Sequence, residues 1–153
     1  DDWLYGGAPE TIKTSIMQGR QGVMPAWQEI LGGDGVRDVT GYVRSLSGLE
    51  NPADIAVDMN QGKQLYASNC AMCHGPDGKG MQVLGAPNLT DKVWLYGSSF
   101  AQVQQTIRFG RSGQMPAQAE FLGNDKVHLL AAYVYSLSQR EKAPAPPENR
   151  EKD

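Results

Sequence analysis

Two thiols and an imidazole stand together in Cys70-Ala71-Met72-Cys73-His74, which holds both cysteines of the 153-residue chain and one of its two histidines. A disulfide between thiols this close in sequence closes a loop too small to staple much of a fold. A thioredoxin-like redox pair belongs beside a βαβ pattern, and the surrounding sequence has none. Zinc asks for four ligands, and the remaining soft donor, His128, lies far from the cluster on a helical stretch. Cys-x-x-Cys-His then has one strong reading left, the covalent attachment of a c-type haem. On one helical turn the two thiols reach the two vinyl positions on one edge of the macrocycle, and the next residue presents its imidazole to the iron.

A histidine supplies one axial ligand. The other is a histidine, a methionine or nothing, and the choice separates electron carriers from sensors and peroxidases. His128 sits one residue off the apolar stripe of its helix, where a solvated histidine is the ordinary reading. Met72 lies between the thiols on the proximal side, Met81 follows His74 too closely to circle the ring, and Met59 belongs to an earlier helix as core or surface. Met115 fits best: it follows the glycine loop 110–113, precedes Pro116 and lies about 40 residues beyond His74, enough chain to reach the opposite face. Methionine as core filler is the bland alternative.

The elements that must position these groups read as helices joined by glycine-rich loops. Ile55, Met59, Leu65 and Tyr66 suit a helix over 54–71 that ends at the cysteines, 100–109 suits another closed by Gly110, and Asn124 is a good N-cap for a third with Val127, Leu130, Ala131, Val134 and Leu137 in a buried stripe. Nothing alternates with period two, so an all-α chain without a sheet is expected. The net charge of -3 argues against a nucleic-acid or anionic-lipid surface. Apolar runs stay far below the ~20 residues of a membrane span. The first residues, Asp1-Asp2-Trp3, carry no basic or apolar leader, which suggests a mature or truncated chain.

The chain also repeats itself. Trp3-Leu4-Tyr5-Gly6 recurs as Trp94-Leu95-Tyr96-Gly97, Gly19-Arg20-x-Gly22-x-Met24-Pro25 as Gly110-Arg111-x-Gly113-x-Met115-Pro116, and Tyr42-Val43-x-Ser45-Leu46-Ser47 as Tyr133-Val134-x-Ser136-Leu137-Ser138, all at an offset of about 91 residues. The counterpart of Cys-x-x-Cys-His would fall about 20 residues before Asp1. The expected division is 1–48 as the C-terminal part of a first domain lacking that motif, 49–57 as linker, 58–139 as a complete domain and 140–153 as a disordered tail.

Gly62-x-x-x-Tyr66-x-x-x-Cys70-x-x-Cys73-His74, then Gly85-Ala86-Pro87-Asn88-Leu89, Met115-Pro116 and Tyr133, together resemble a class I cytochrome c domain over residues 54–139. The duplicated Trp-Leu-Tyr-Gly and Gly-Arg-x-Gly-x-Met-Pro resemble the dihaem cytochrome c subunit, subunit III, of the cbb-type haem-copper oxidases. The resemblance implies an all-α class I fold wrapped round one haem c on Cys70 and Cys73, with His74 and Met115 as axial ligands. It implies that Gly62 lets the first helix approach the last, with Tyr66 and Tyr133 at the crossing, and that the Pro87 carbonyl accepts the Nδ1–H of His74. Leu89 would press on the haem face. Trp94, Tyr96 and Arg111 are candidates for the propionates, and ordinary packing or solvation accounts for them equally well. Met24 would ligate a second haem in a longer parent chain with its own upstream Cys-x-x-Cys-His.

The implied function is electron transfer from a donor cytochrome c to the catalytic subunits of the oxidase, with no catalytic site in this chain. The implied place is the periplasmic side of the bacterial inner membrane, held there by an anchor or by partner subunits. Two other functions share the motif: a free periplasmic dihaem carrier or dehydrogenase cytochrome subunit, and a haem sensor or peroxidase in which Met115 is displaced.

Overall fold

A computed structural model describes residues 3–140; the tail expected over 140–153 lies, beyond its first residue, outside the described residues. The elements run α1 (Pro9–Gln18), β1 (Arg20–Met24), α2 (Gln28–Leu46), α3 (Met59–Leu65), α4 (Ala71–His74), α5 (Phe100–Phe109), β2 (Arg111–Met115) and α6 (Ala119–Arg140). The series α1, β1, α2 starts at residues 9, 20 and 28, and the series α5, β2, α6 at 100, 111 and 119, so the offset of 91 read in the sequence is carried by the elements themselves. Local chemistry sets their ends. Ser99 and Gln102 form a reciprocal capping box at the start of α5. The Asp58 carboxylate accepts the N–H groups of Asn60 and Gln61 and starts α3, so the helix expected from residue 54 begins only at Met59.

The chain is mostly helical, but the expectation of no sheet is corrected by a small antiparallel ribbon in which Arg20 pairs with Met115 and Met24 with Arg111. Each strand is short and glycine-bearing, with no apolar alternation to betray it. The pairing arises because the two copies meet: Gly22 lies opposite its own counterpart Gly113, which marks a local two-fold axis. Gly19 and Gly110 end α1 and α5 with φ of 70° each. A Cβ on Gly19 would overlap the Met115 carbonyl oxygen and one on Gly110 the Met24 carbonyl oxygen, so both close approaches need glycine.

Two cores flank the ribbon. In the larger one, Val36, Val39 and Val43 of α2 pack with Tyr66 and with Val103 and Ile107 of α5. In the smaller one, Ile12 and Ile16 of α1 pack with Val127 and Ala131 of α6. Each core therefore combines the first helix of one copy with the second helix of the other. Two backbone bonds repeat the symmetry, Trp27 N–H to the Ile107 carbonyl and Gln118 N–H to the Ile16 carbonyl, both at 3.0 Å.

The crossing expected between Gly62 and the last helix is corrected accordingly. A Cβ on Gly62 would overlap the carbonyl oxygen of Asp38 on α2, and the ring that meets Tyr66 is Tyr42, with centroids 5.4 Å apart. Tyr133 is 56% exposed. Tyr42 and Tyr133 hold the same place in duplicated helices, and the one that docks is set by where β1 and β2 send the chain. The stretch 49–57, read as a linker, lies along α2: Asn51 Nδ2 donates to the Gly41 carbonyl at 3.3 Å and Arg44 Nη2 to the Glu50 carbonyl at 2.7 Å.

Candidate haem site

The site is built at the end of α3. Residues Tyr66–Cys70 form a widened π-type turn in which the Ala71 N–H donates to the Tyr66 carbonyl, and α4 then presents Cys73 and His74. Such local widening is frequent at functional sites, because it re-aims side chains that a regular helix would space evenly. The buried Tyr66 hydroxyl donates to the Gly75 carbonyl at 2.7 Å, which ties the turn to the end of α4. Burial pushes that hydroxyl up to about 12, with further contributions from Cys70, Tyr42 and Asp77. The chain then folds back on itself. Gly80 N–H donates to the His74 carbonyl at 2.8 Å and Leu89 N–H to the Gly78 carbonyl at 2.7 Å.

This return brings the Pro87 carbonyl oxygen to 3.1 Å from His74 Nδ1. With Nδ1–H donating there, the lone pair of Nε2 is left for a metal. Burial lowers the His74 pKa, opposed by the bond to Pro87, and a neutral imidazole is the form that binds iron. Cys70 and Cys73 are half-buried and not bonded to each other. Burial, and then the neighbouring Cys73, push the Cys70 thiol up to about 11. Among the described residues no group of three or more His, Cys, Asp or Glu side chains is arranged to hold a metal ion alone. Cys70 packs on the Tyr66 core, and so do the apolar Met24, Trp27, Leu46, Leu65, Ala71, Leu89 and Trp94. Two free thiols, one imidazole with a free Nε2 and an apolar core beside Cys70 fit a c-type haem.

The other residues singled out in the sequence fall into three places. Leu89 and Trp94 join this core. Tyr96 and Arg111 make a unit of their own: the guanidinium lies 4.3 Å over the ring, and Nε and Nη2 donate to Thr106 Oγ1 at 3.0 and 2.7 Å. Met115 is 41% exposed at the end of β2 that pairs with Arg20, because its strand leads into α6 and away onto α1. Met24, by contrast, is half-buried against the core that holds Cys70. Trp27, at the start of α2, and Tyr42 and Leu46 within it were not foreseen as neighbours of the site. Their signal was the repeat, which marked α2 and α6 as equivalent without saying which would dock.

A family model described as cytochrome c oxidase, cbb3-type, subunit III, matches residues 57–134. The chain belongs to this family. Membership implies haem c as the cofactor, in agreement with the donor set around Cys70. The chain is similar to the cbb3-type cytochrome c oxidase subunit CcoP of Rubrivivax gelatinosus, 46% identical over 140 residues that make up 91% of this chain and 45% of the relative. It is also similar to subunit FixP of Bradyrhizobium diazoefficiens, 44% identical over 147 residues covering 90% and 50% of the two chains, and to FixP of Azorhizobium caulinodans, 43% identical over 145 residues covering 90% and 49%. The chain spans about half the length of the curated relatives it matches. Among the described residues no helix is long and apolar enough to cross a membrane.

Proposed function

We propose that this chain is an electron-transfer module of a cbb3-type oxidase, carrying one haem c on Cys70 and Cys73 with His74 as its proximal ligand. The observation that carries the reading is the pairing of His74 Nδ1 with the Pro87 carbonyl directly behind two free, half-buried thiols. When bound, haem c supplies a one-electron ferric/ferrous couple. The protein's part is to hold it: the thiols fix the ring edge, and the Pro87 carbonyl orients the imidazole and raises its basicity. Leu89 and Trp94, which pack on the Tyr66 core, would keep water from the ring, and a methionine ligand would favour the reduced state. A haem held by these residues would supply electron transfer and not substrate chemistry, so catalysis would fall to other subunits of the oxidase.

In this reading electrons enter from a donor cytochrome on the periplasmic side of the inner membrane and leave for the catalytic subunits. Residues 1–48 are the C-terminal part of a first cytochrome c domain whose own haem segment precedes them in a longer parent. The recurrence of α1, β1 and α2 at 91 residues supports this, as does the length of the relatives. The test is the chain expressed with a c-type maturation system and then denatured: haem should stay bound, and Cys70→Ser with Cys73→Ser should release all of it. Haem that washes out of the unsubstituted chain would falsify the reading.

A further inference from the structure

The first copy of the repeat touches the second at the loop behind His74. Resting on the haem reading above, we propose that Tyr5 is a positioning residue for the haem of Cys70 and Cys73. By holding that loop at Gly85 it fixes the Pro87 carbonyl on His74, so a side chain of one copy tunes the iron of the other.

The loop is a short closed hairpin. Met81 N–H donates to the Ala86 carbonyl at 3.0 Å, Ala86 N–H to the Met81 carbonyl at 3.1 Å, and Gly85 N–H to the Gln82 carbonyl at 3.1 Å. Pro87 follows directly, so its carbonyl moves with the hairpin. That oxygen lies 3.1 Å from His74 Nδ1 and sets how basic the imidazole is toward iron. Behind Pro87 there is room for a shift: a cavity of about 240 Å³ opens between Trp3 and Leu4 on one side and Lys79, Met81, Ala86 and Pro87 on the other.

Two contacts from the first copy limit such a shift. Gly85 has φ of 66° and lies against Tyr5: a Cβ there would stand 2.2 to 2.6 Å from Cζ, Cε1 and Oη of the ring, an approach that needs glycine. Gln82 reaches Gly6, with its Oε1 3.2 Å from where a Cβ would be. Tyr5 is itself anchored. Arg20 lies 4.6 Å over the ring and donates through Nε to Ser15 Oγ at 2.8 Å, and the Tyr5 hydroxyl donates to the Gln21 carbonyl at 3.3 Å. A stiff aromatic side chain thus ties the hairpin to α1 and β1.

Residues that differ between the copies make room for this docking. In the second copy Ser99 and Gln102 form the capping box of α5, and the Gln102 side chain fills the space beside Gly97. The counterparts are Ala8 and Thr11, so α1 has no side-chain cap at its start. The shorter Thr11 frees the space beside Gly6, the counterpart of Gly97, and Gln82 from the haem-bearing copy enters it.

The test uses the chain with covalent haem and reads His74 through its Nδ1–H resonance in the reduced form, the exchange of that proton with solvent, and the midpoint potential. Tyr5 belongs to neither buried core, so Tyr5→Leu should keep the fold while giving up the ring. It is expected to speed exchange of the Nδ1–H about tenfold, because the hairpin opens more often. The midpoint should rise, because a less basic imidazole stabilises ferric iron less. Tyr5→Phe, which keeps the ring, is expected to leave both readouts in place. Unchanged exchange in Tyr5→Leu, a midpoint that falls, or an equal acceleration in Tyr5→Phe overturns the proposal. Gly85→Ala attacks the same contact from the hairpin and should also accelerate exchange; a His74 signal that ignores it overturns the proposal as well. Absence of covalent haem in the unsubstituted chain defeats the haem reading and this one together, whereas covalent haem with an unmoved His74 signal defeats this one alone.

Discussion

Helices α2 and α6 are copies of one helix in two environments. α2 buries Val36, Val39 and Val43 together with Asp38, Thr40 and Arg44, whereas α6 buries Val127, Ala131 and Ser138 among its described side chains and leaves Leu129, Leu130, Tyr133 and Leu137 exposed. The apolar stripe is common to both. What differs is the set of polar groups, and their burial is tolerable only where partners wait. Where α2 packs, Asp38 meets Arg37 of its own helix and the Asp58 N–H just before α3, and Arg44 meets the carbonyls of Glu50 and of Ser98 just before α5. With Leu129 and Tyr135 in those places, each partner left unbonded would cost about 1–3 kcal/mol. Hydrophobic periodicity thus makes the helix, and a few polar residues choose its neighbour.

The sharpest way to break this comparison is at the crossing itself. Gly62→Ala sets a Cβ into the backbone oxygen of Asp38, so α2 and α3 must separate. Overpacking of this kind costs ~1–3 kcal/mol, and a backbone obstacle that cannot rotate away puts it at the upper end. Gly113→Ala, with no atom within 4 Å of the added carbon, should stay within about 0.5 kcal/mol. Denaturant unfolding of the haem-loaded chain measures both. Equal losses would mean that α3 does not pack on α2 in solution.

A smaller effect should expose the asymmetry between the copies. Asp38→Leu gives α2 the residue of α6, strands the Asp58 N–H and should destabilise by about 1–3 kcal/mol. The reciprocal Leu129→Asp changes an exposed position and should remain within ~0.5 kcal/mol. If Leu129→Asp proves the costlier change, it is α6 and not α2 that packs on α3.

Much of the site was legible because it is local. Cys70 ends the π-type turn and Cys73 and His74 follow within four residues on α4, and 100–109 read as a helix because its apolar residues and closing Gly110 say so within ten positions. What was illegible is what depends on distance. Met24 and Met115 sit in nearly identical sequence, and the residues that tell them apart, Asp38, Gly41 and Arg44, act through Asp58, Val57 and Ser98 far along the chain. The ribbon was hidden for the same reason: its partner strands are copies of each other, and nothing in one copy announces the meeting. Ile55 looked helical by spacing, yet the Asp58 cap outranks spacing and starts the helix only at Met59.

The smallest effect is expected where the two copies agree. Arg111 lies 4.3 Å over Tyr96 and donates twice to Thr106 Oγ1, while Arg20 lies 4.6 Å over Tyr5 and donates once, at 2.8 Å, to Ser15 Oγ. Lysine keeps the charge but loses the planar face and the fork of donors. A stack of this kind at a solvent-accessible site is worth about 0.5–1 kcal/mol, so Arg20→Lys and Arg111→Lys should each cost that much, Arg111→Lys the more by its second hydrogen bond. Both are packing units by geometry. A role toward haem would appear only as a cost that depends on haem, since a propionate contact is absent until the ring is attached. Unfolding each variant with haem, and again in the Cys70→Ser, Cys73→Ser background, separates the two. A cost unchanged between backgrounds leaves Arg111 a structural prop for Tyr96. A cost that grows only with haem makes the arginine a propionate partner, and the copy in which it grows reports which half of the repeat faces the ring.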